Sequence, residues 1–231
     1  TRAFHSQAHR ILTRRADSGG VFNRDFGADD AVKAAMLEQL KRSFVHANQP
    51  HVNVVLGWHG CDERVVHSIV SGGAANLAAR ANPGYFGSGV YMTTSAQYAA
   101  GYATRVVHDD WREPNANGEH VMLLCAVCIG LAYPISRATD YVQVQLNDTT
   151  QELCRYAGAS LVRQCDTHYI HISSKDRFHA PANHRQYNFD ELVVAQEAQV
   201  LPIAKVYFKV EDRGELRRHL FDKPPVSQLV A

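Results

Sequence analysis

Short strand signals fill the second half of this chain, and no helix alternates with them regularly enough to build a parallel sheet. Runs of β-branched, aromatic and aliphatic residues fall at 119–129, 141–146, 159–163, 167–173, 190–195 and 203–210, with polar loops between them. A doubly wound fold needs a crossover helix after nearly every strand. The expected class is therefore α+β: two packed, mostly antiparallel or mixed β-sheets flanked by a few helices. With 231 residues and 45% hydrophobic content, the chain can bury a real core.

Ahead of the strands, Asp29 and Asp30 offer N-caps to a helix. Its Val32, Met36, Leu40 and Phe44 repeat at i, i+4, and Pro50 marks its end. His51 to Trp58 reads as a buried strand and 62–70 as a short amphipathic helix stopped by Gly72-Gly73. Ala81 to Gly89 is loop, Val90 to Thr93 a short strand, and Ser95 to Val106 a helix. Residues 1–28 are polar with no clear period, and are expected to form an arm or loose cover. That leaves one domain over 29–231, with its core at about 51–210.

Several function classes lose support at this level. The net charge of +1 gives no electrostatic argument for nucleic acid. The arginine clusters (Arg2, Arg10, Arg14 and Arg15, then Arg213, Arg217 and Arg218) read as solvated basic faces. Five cysteines do not suggest a disulfide scaffold. Cys125 and Cys128 form a C-x-x-C, but inside an apolar strand, where positions three apart face opposite sides of the sheet. Structural thiols are expected there, and no metal. No apolar run approaches a membrane span. The chain opens on Thr1 and reads as a fragment of something longer.

Three fragments carry chemistry. They are Leu56-Gly57-Trp58-His59-Gly60, Gly84-Tyr85-Phe86-Gly87-Ser88-Gly89-Val90-Tyr91, and Asp190-Glu191-Leu192-Val193-Val194 followed by Gln199-Val200-Leu201-Pro202. The glycines at 84, 87 and 89 precede a strand and open no helix, so they are not a Rossmann phosphate loop. In order, context and spacing the three fragments together resemble the His-Tyr-Glu signature of the poly(ADP-ribose) polymerase family of ADP-ribosyltransferases, from about Asn53 to Phe208.

That resemblance implies an ADP-ribosyltransferase-like fold, with NAD consumed as donor. It implies His59, Tyr91 and Glu191 as the catalytic set, with His59 donating to the adenine ribose and Glu191 bonding the nicotinamide ribose. Gly60 would open its backbone to the nicotinamide carboxamide, a side chain there obstructing that approach. Ser95 would bond the nicotinamide amide, and Tyr91 and Tyr98 would stack on the ring, with Tyr102 as the rival to Tyr98. Gly89 belongs to the same donor site, and Tyr85 and Phe86 would cover it from the loop tip. Asp190 should point away from Glu191, because strand side chains alternate. Ser88 departs from the family, standing where a Lys is frequent, as Met92-Thr93 does from a usual Phe-Ala.

Mono-ADP-ribosylation of a macromolecule is expected. The acceptor would be a protein, with nucleic acid the other candidate. The alternatives are a non-catalytic NAD or ADP-ribose binding module and an NAD glycohydrolase toxin. A monomer is expected for the isolated domain, without membrane contact, in cytoplasm or nucleus or delivered into a host cell as an effector.

Overall fold

A computed structural model describes residues 2–17, 30–45, 53–72, 84–146 and 148–223. Asp29, Pro50, Gly73 and the start of the loop at 81 lie outside the described residues.

Two sheets form the body. The first holds β1 (Val54–Gly60), β3 (His120–Cys128) and β9 (Val200–Phe208) in the order β1-β3-β9, all antiparallel. The second holds β2 (Val90–Met92), β8 (Phe189–Val194), β7 (Thr167–Ile172) and β4 (Ala132–Ile135) in the order β2-β8-β7-β4. In it only β4 and β7 pair in parallel. β5 (Tyr141–Leu146) and β6 (Thr149–Cys154) make a separate hairpin. The α+β expectation holds. The strand signal at 159–163 does not: that stretch is turn and irregular loop, while β4 and β6 went unread.

The faces of the strands divide the core. Val121, Leu123, Cys125 and Val127 of β3 face Leu192 and Val194 of β8 across the space between the sheets. Phe189 and Val193 turn to the far side, where they meet Tyr98, Ile170, Ile172 and Leu220. Every residue of β7 and β8 is buried, because both faces are covered. Cys125 and Cys128 do face opposite ways: Cys125 lies between the sheets, and Cys128 lies under an outer helix.

That outer helix corrects the reading of the N-terminal segment. Arg2–Asp17 form α1. Phe4, Ala8 and Ile11 lie on one face, at helical spacing, and pack on Cys128, Ala126 and Leu201. The stripe is narrow and interrupted by Gln7, itself buried, so hydrophobic periodicity alone did not reveal it. Arg10 reaches Gln196, and Arg14 pairs with the carboxylate of Asp166, so these are not merely solvated charges. Among the described residues two helices, α1 and one over Ala31–Arg42, therefore precede β1.

α2 (Ala31–Arg42) begins as expected, Asp30 accepting from the Val32 and Lys33 backbone N–H groups at 2.9 and 3.2 Å. Its Met36 and Leu40 enter the central core. Lys33 carries an ion pair inside: its Nζ lies 2.8 Å from Asp140 and donates to the Tyr133 hydroxyl at 2.7 Å. α3 (Glu63–Gly72) inserts Val66 and Ile69. α4 (Ala96–Ala103) is shorter than expected and gives way to a 3-10 turn at Val106–His108. α5 (Arg137–Asp140) is a single turn that delivers Asp140. α6 (Arg213–Phe221) closes the far side with Leu220.

Candidate active site

The two sheets are stitched together beside the site. Trp58 N–H donates to Thr93 O at 2.7 Å, and Thr93 N–H returns a bond to Trp58 O at 3.0 Å. This bridge sets the end of β1 against β2. His59 and Tyr91 consequently touch: His59 Nδ1 lies 2.8 Å from the carbonyl oxygen of Tyr91. A carbonyl can only accept, so the proton sits on Nδ1. Burial lowers the ring's pKa, which keeps it neutral near pH 7. Nε2 then offers a lone pair. At neutral pH the Nε2 of His59 is therefore a hydrogen-bond acceptor.

Tyr91 uses its hydroxyl as a clip. It accepts from Phe86 N–H and donates to Gly87 O, both at 2.9 Å. The hydroxyl lies so close to Gly84 that a Cβ there would overlap it, which is why the loop needs glycine at that point. Gly89 leads directly into β2, against Val194. The loop tip is anchored inward. Phe86 is buried in the second core, and its carbonyl accepts from His168 Nδ1 at 2.7 Å. The Tyr85 ring stacks on His179, with centroids 4.4 Å apart and planes within 5°. Neither Tyr85 nor Phe86 lines the cavity described below.

Glu191 projects from β8 to the side opposite Asp190. Its Oε1 accepts from the Tyr98 hydroxyl at 2.7 Å and from the Tyr102 hydroxyl at 3.1 Å. Burial pushes the carboxyl up to about 7, while the two phenols hold it back from going further. Asp190 is buried too, but fully occupied. It accepts from the Thr94 backbone at 2.8 Å and from the hydroxyls of Thr93 and Thr94 at 3.0 and 2.7 Å. It ties β8 to the segment between β2 and α4.

These elements line a cavity of about 110 Å³, whose walls include Trp58, His59 and Gly60 of β1, Tyr91 and Met92 of β2, Tyr98, Ala99 and Tyr102 of α4, and Glu191 of β8. It is smaller than the roughly 150 Å³ of an apolar cavity that takes benzene, and it is open on one side. A dinucleotide must extend outside it.

Ser95 and Tyr98 both have partners within the protein. Ser95 is the N-cap of α4, its Oγ accepting from Tyr98 N–H at 3.3 Å, and it is not in the cavity wall. Tyr98 reaches the wall but has no exposed surface; its ring is stacked on Phe189. Tyr102, half-buried, lines the same cavity as Tyr91. The cause of Gly60 also changes. A Cβ there would overlap the carbonyl oxygen of Ala99 and lie 2.8 Å from Ala103 N. The glycine lets α4 press against β1, whether or not a ligand is present.

The last fragment of the signature is structural. Gln199 is fully buried, and its Nε2 donates to Cys128 O at 2.9 Å and Asp166 O at 3.2 Å. It locks the two sheets together where the chain crosses from β8 to β9.

Over residues 31–203 the chain matches the poly(ADP-ribose) polymerase catalytic domain. It belongs to that family. The matched stretch contains His59, Tyr91 and Glu191 and all the cavity walls. A comparison with curated proteins finds no match. Membership makes the protein an ADP-ribosyltransferase that takes NAD as its donor. No helix among the described residues is long and apolar enough to cross a membrane. Among the same residues no three His, Cys, Asp or Glu side chains gather as a metal site would need.

Proposed function

We propose that the protein transfers a single ADP-ribose unit from NAD to a macromolecular acceptor, a protein in the first instance. The observation that carries this reading is the state of Glu191. One carboxylate oxygen already accepts two phenols, which leaves Oε2 as the oxygen for a ribose hydroxyl. That oxygen serves the donor ribose, and Ser88, where the family frequently has a Lys, favours stopping after a single unit.

In this reading nicotinamide enters the cavity lined by Tyr91 and Tyr102 from its open side, with the backbone of Gly60 near its carboxamide. The ribose then lies toward Glu191, and the Nε2 of His59 accepts from a hydroxyl of the adenine ribose. The bond between C1′ and the pyridinium nitrogen breaks, and its electron pair leaves with nicotinamide. The leaving group starts positively charged and departs neutral, so no general acid is needed. Cationic character develops at the ribose, and the ionised Glu191 stabilises it through the 2′-hydroxyl. The acceptor nucleophile attacks C1′ and releases a proton to solvent or to Glu191.

Incubation with adenine-labelled NAD and a cell lysate tests this. Free nicotinamide with label on macromolecules, one unit per site, is the expected result. Free ADP-ribose alone would indicate a glycohydrolase. NAD binding with no nicotinamide release would indicate a binding module. Ladders of linked units would overturn single transfer.

A further inference from the structure

The Tyr98 ring fills an apolar slot, with centroids 4.8 Å from Phe189 and planes within 9°. A phenylalanine would fill that slot as well. The hydroxyl requires a separate reason, because an O–H at a position with no exposure costs free energy unless it bonds. Its bonds go to Glu191 Oε1 at 2.7 Å and to the Tyr102 hydroxyl 3.1 Å away. Tyr102, one turn later on the same helix, reaches the same oxygen. The helical repeat thus places two phenols on one carboxylate oxygen, and α4 is itself held in register by the Ser95 cap.

We propose that Tyr98 is a positioning residue for Glu191: its buried hydroxyl fixes the rotation of the carboxylate so that Oε2 is the oxygen presented to the donor ribose. Tyr102 shares this task at longer range and also walls the cavity with its ring. The proposal rests on Glu191 being the group that stabilises the ribosyl cation.

The same bond has a consequence for pH. Hydrogen bonds from neutral phenols favour the charged carboxylate, against burial and against the neighbouring Asp190, which both disfavour it. The other groups near Glu191 are Tyr91 from β2, kept protonated by burial, and His59 from β1, kept neutral by burial. Lys223 approaches from the Asp190 side. None of these supplies a full positive charge at the carboxylate, so the phenols are what keep it ionised near neutrality. Removing one should raise its titration. A hydrogen bond to a charged group corresponds to roughly one to two pH units.

The test uses the full chain as wild type, Tyr98→Phe and Tyr102→Phe. Nicotinamide release is measured across pH 5.5–9.5, NAD affinity is measured beside it, and the Glu191 carboxyl is titrated in ¹³C-glutamate-labelled protein, with Glu191→Gln assigning its signal. In Tyr98→Phe the acid limb of the rate profile and the carboxyl titration should both move up by about one to two pH units. The rate at pH 7 should fall roughly tenfold or more and return to within a few-fold at pH 9. NAD affinity should stay close to wild type, thermal stability should match wild type at pH 5.5 and fall below it at pH 9 as the raised carboxyl titration requires, and Tyr102→Phe should move the limb less. An unmoved titration, or a loss of rate equal at every pH, would overturn the proposal. If wild type released no nicotinamide at all, the transferase reading would fail, and the carboxyl titration would still decide the role of Tyr98.

Discussion

His59 Nδ1 donates to the carbonyl oxygen of Tyr91, 32 residues along the chain and on the facing strand, so two members of the signature are bound to each other before any ligand arrives. This contact consumes the only proton of a neutral imidazole. It follows that His59 is not the group whose ionisation limits the rate near neutrality. The rate should fall as pH drops through about 7, where Glu191 takes up its proton. That limb should persist in His59→Gln at reduced NAD affinity and disappear in Glu191→Gln. A limb that vanished with His59 instead would reverse the two roles.

Glu191 should also cost stability where it is ionised. Its carboxyl titrates at an ordinary 4.5 when unfolded and at about 7 when folded. The folded state holds the proton more tightly, so the neutral form's advantage is complete below 4.5 and is lost as pH rises to about 7. Glu191→Gln should therefore be more stable than wild type at pH 8, by on the order of 3 kcal/mol, and nearly equal to it at pH 4. Denaturant unfolding at the two pH values measures this. A variant less stable than wild type at pH 8 would contradict it.

Asp190 is predicted to matter for folding rather than chemistry. Its carboxylate receives three bonds from Thr93 and Thr94 in a site without solvent. Asp190→Ala leaves those donors unpaired, at roughly 1–3 kcal/mol each for whatever water does not replace. A drop in melting temperature with residual turnover per folded molecule is expected. Unchanged stability with lost turnover would place Asp190 in the reaction instead.

The Lys33–Asp140 pair should behave as a structural rivet between α2 and α5. Burial pushes Asp140 up, but Lys33, the Ser136 N–H and the Tyr133 hydroxyl hold it below the usual carboxylate range. Lys33→Met strands a buried charge and should cost about 3–5 kcal/mol in denaturant unfolding. Loss of less than about 1 kcal/mol would show the site open to water.

The strands that carry His59 and Glu191 were legible because chemistry and periodicity coincide there. Trp58-His59-Gly60 ends a buried run, and Glu191 opens another. α1 was not, because only Phe4, Ala8 and Ile11 mark its face and a buried glutamine interrupts them. Which of Tyr98 and Tyr102 turns its ring to the cavity was not legible either. Ser95 and Tyr98 have the right residue types, yet Ser95 is spent on a helix cap and Tyr98 on Phe189. Sequence spacing gives both Tyr98 and Tyr102 access to the same face of α4, and only packing decides which ring remains open. Gly60 was recognised, but its cause lies in Ala99 and Ala103, residues whose approach no local pattern records.

The central claim is that Glu191 acts on the transition state and that the cavity around it binds the donor. Measuring NAD affinity and single-turnover nicotinamide release side by side in wild type and Glu191→Gln tests it most directly. NAD affinity should change only a few-fold, while release should slow by roughly 10²–10³, the loss expected for about 3–4 kcal/mol from one preorganised electrostatic group. Full release by Glu191→Gln, or loss of NAD binding in step with loss of rate, would contradict the account.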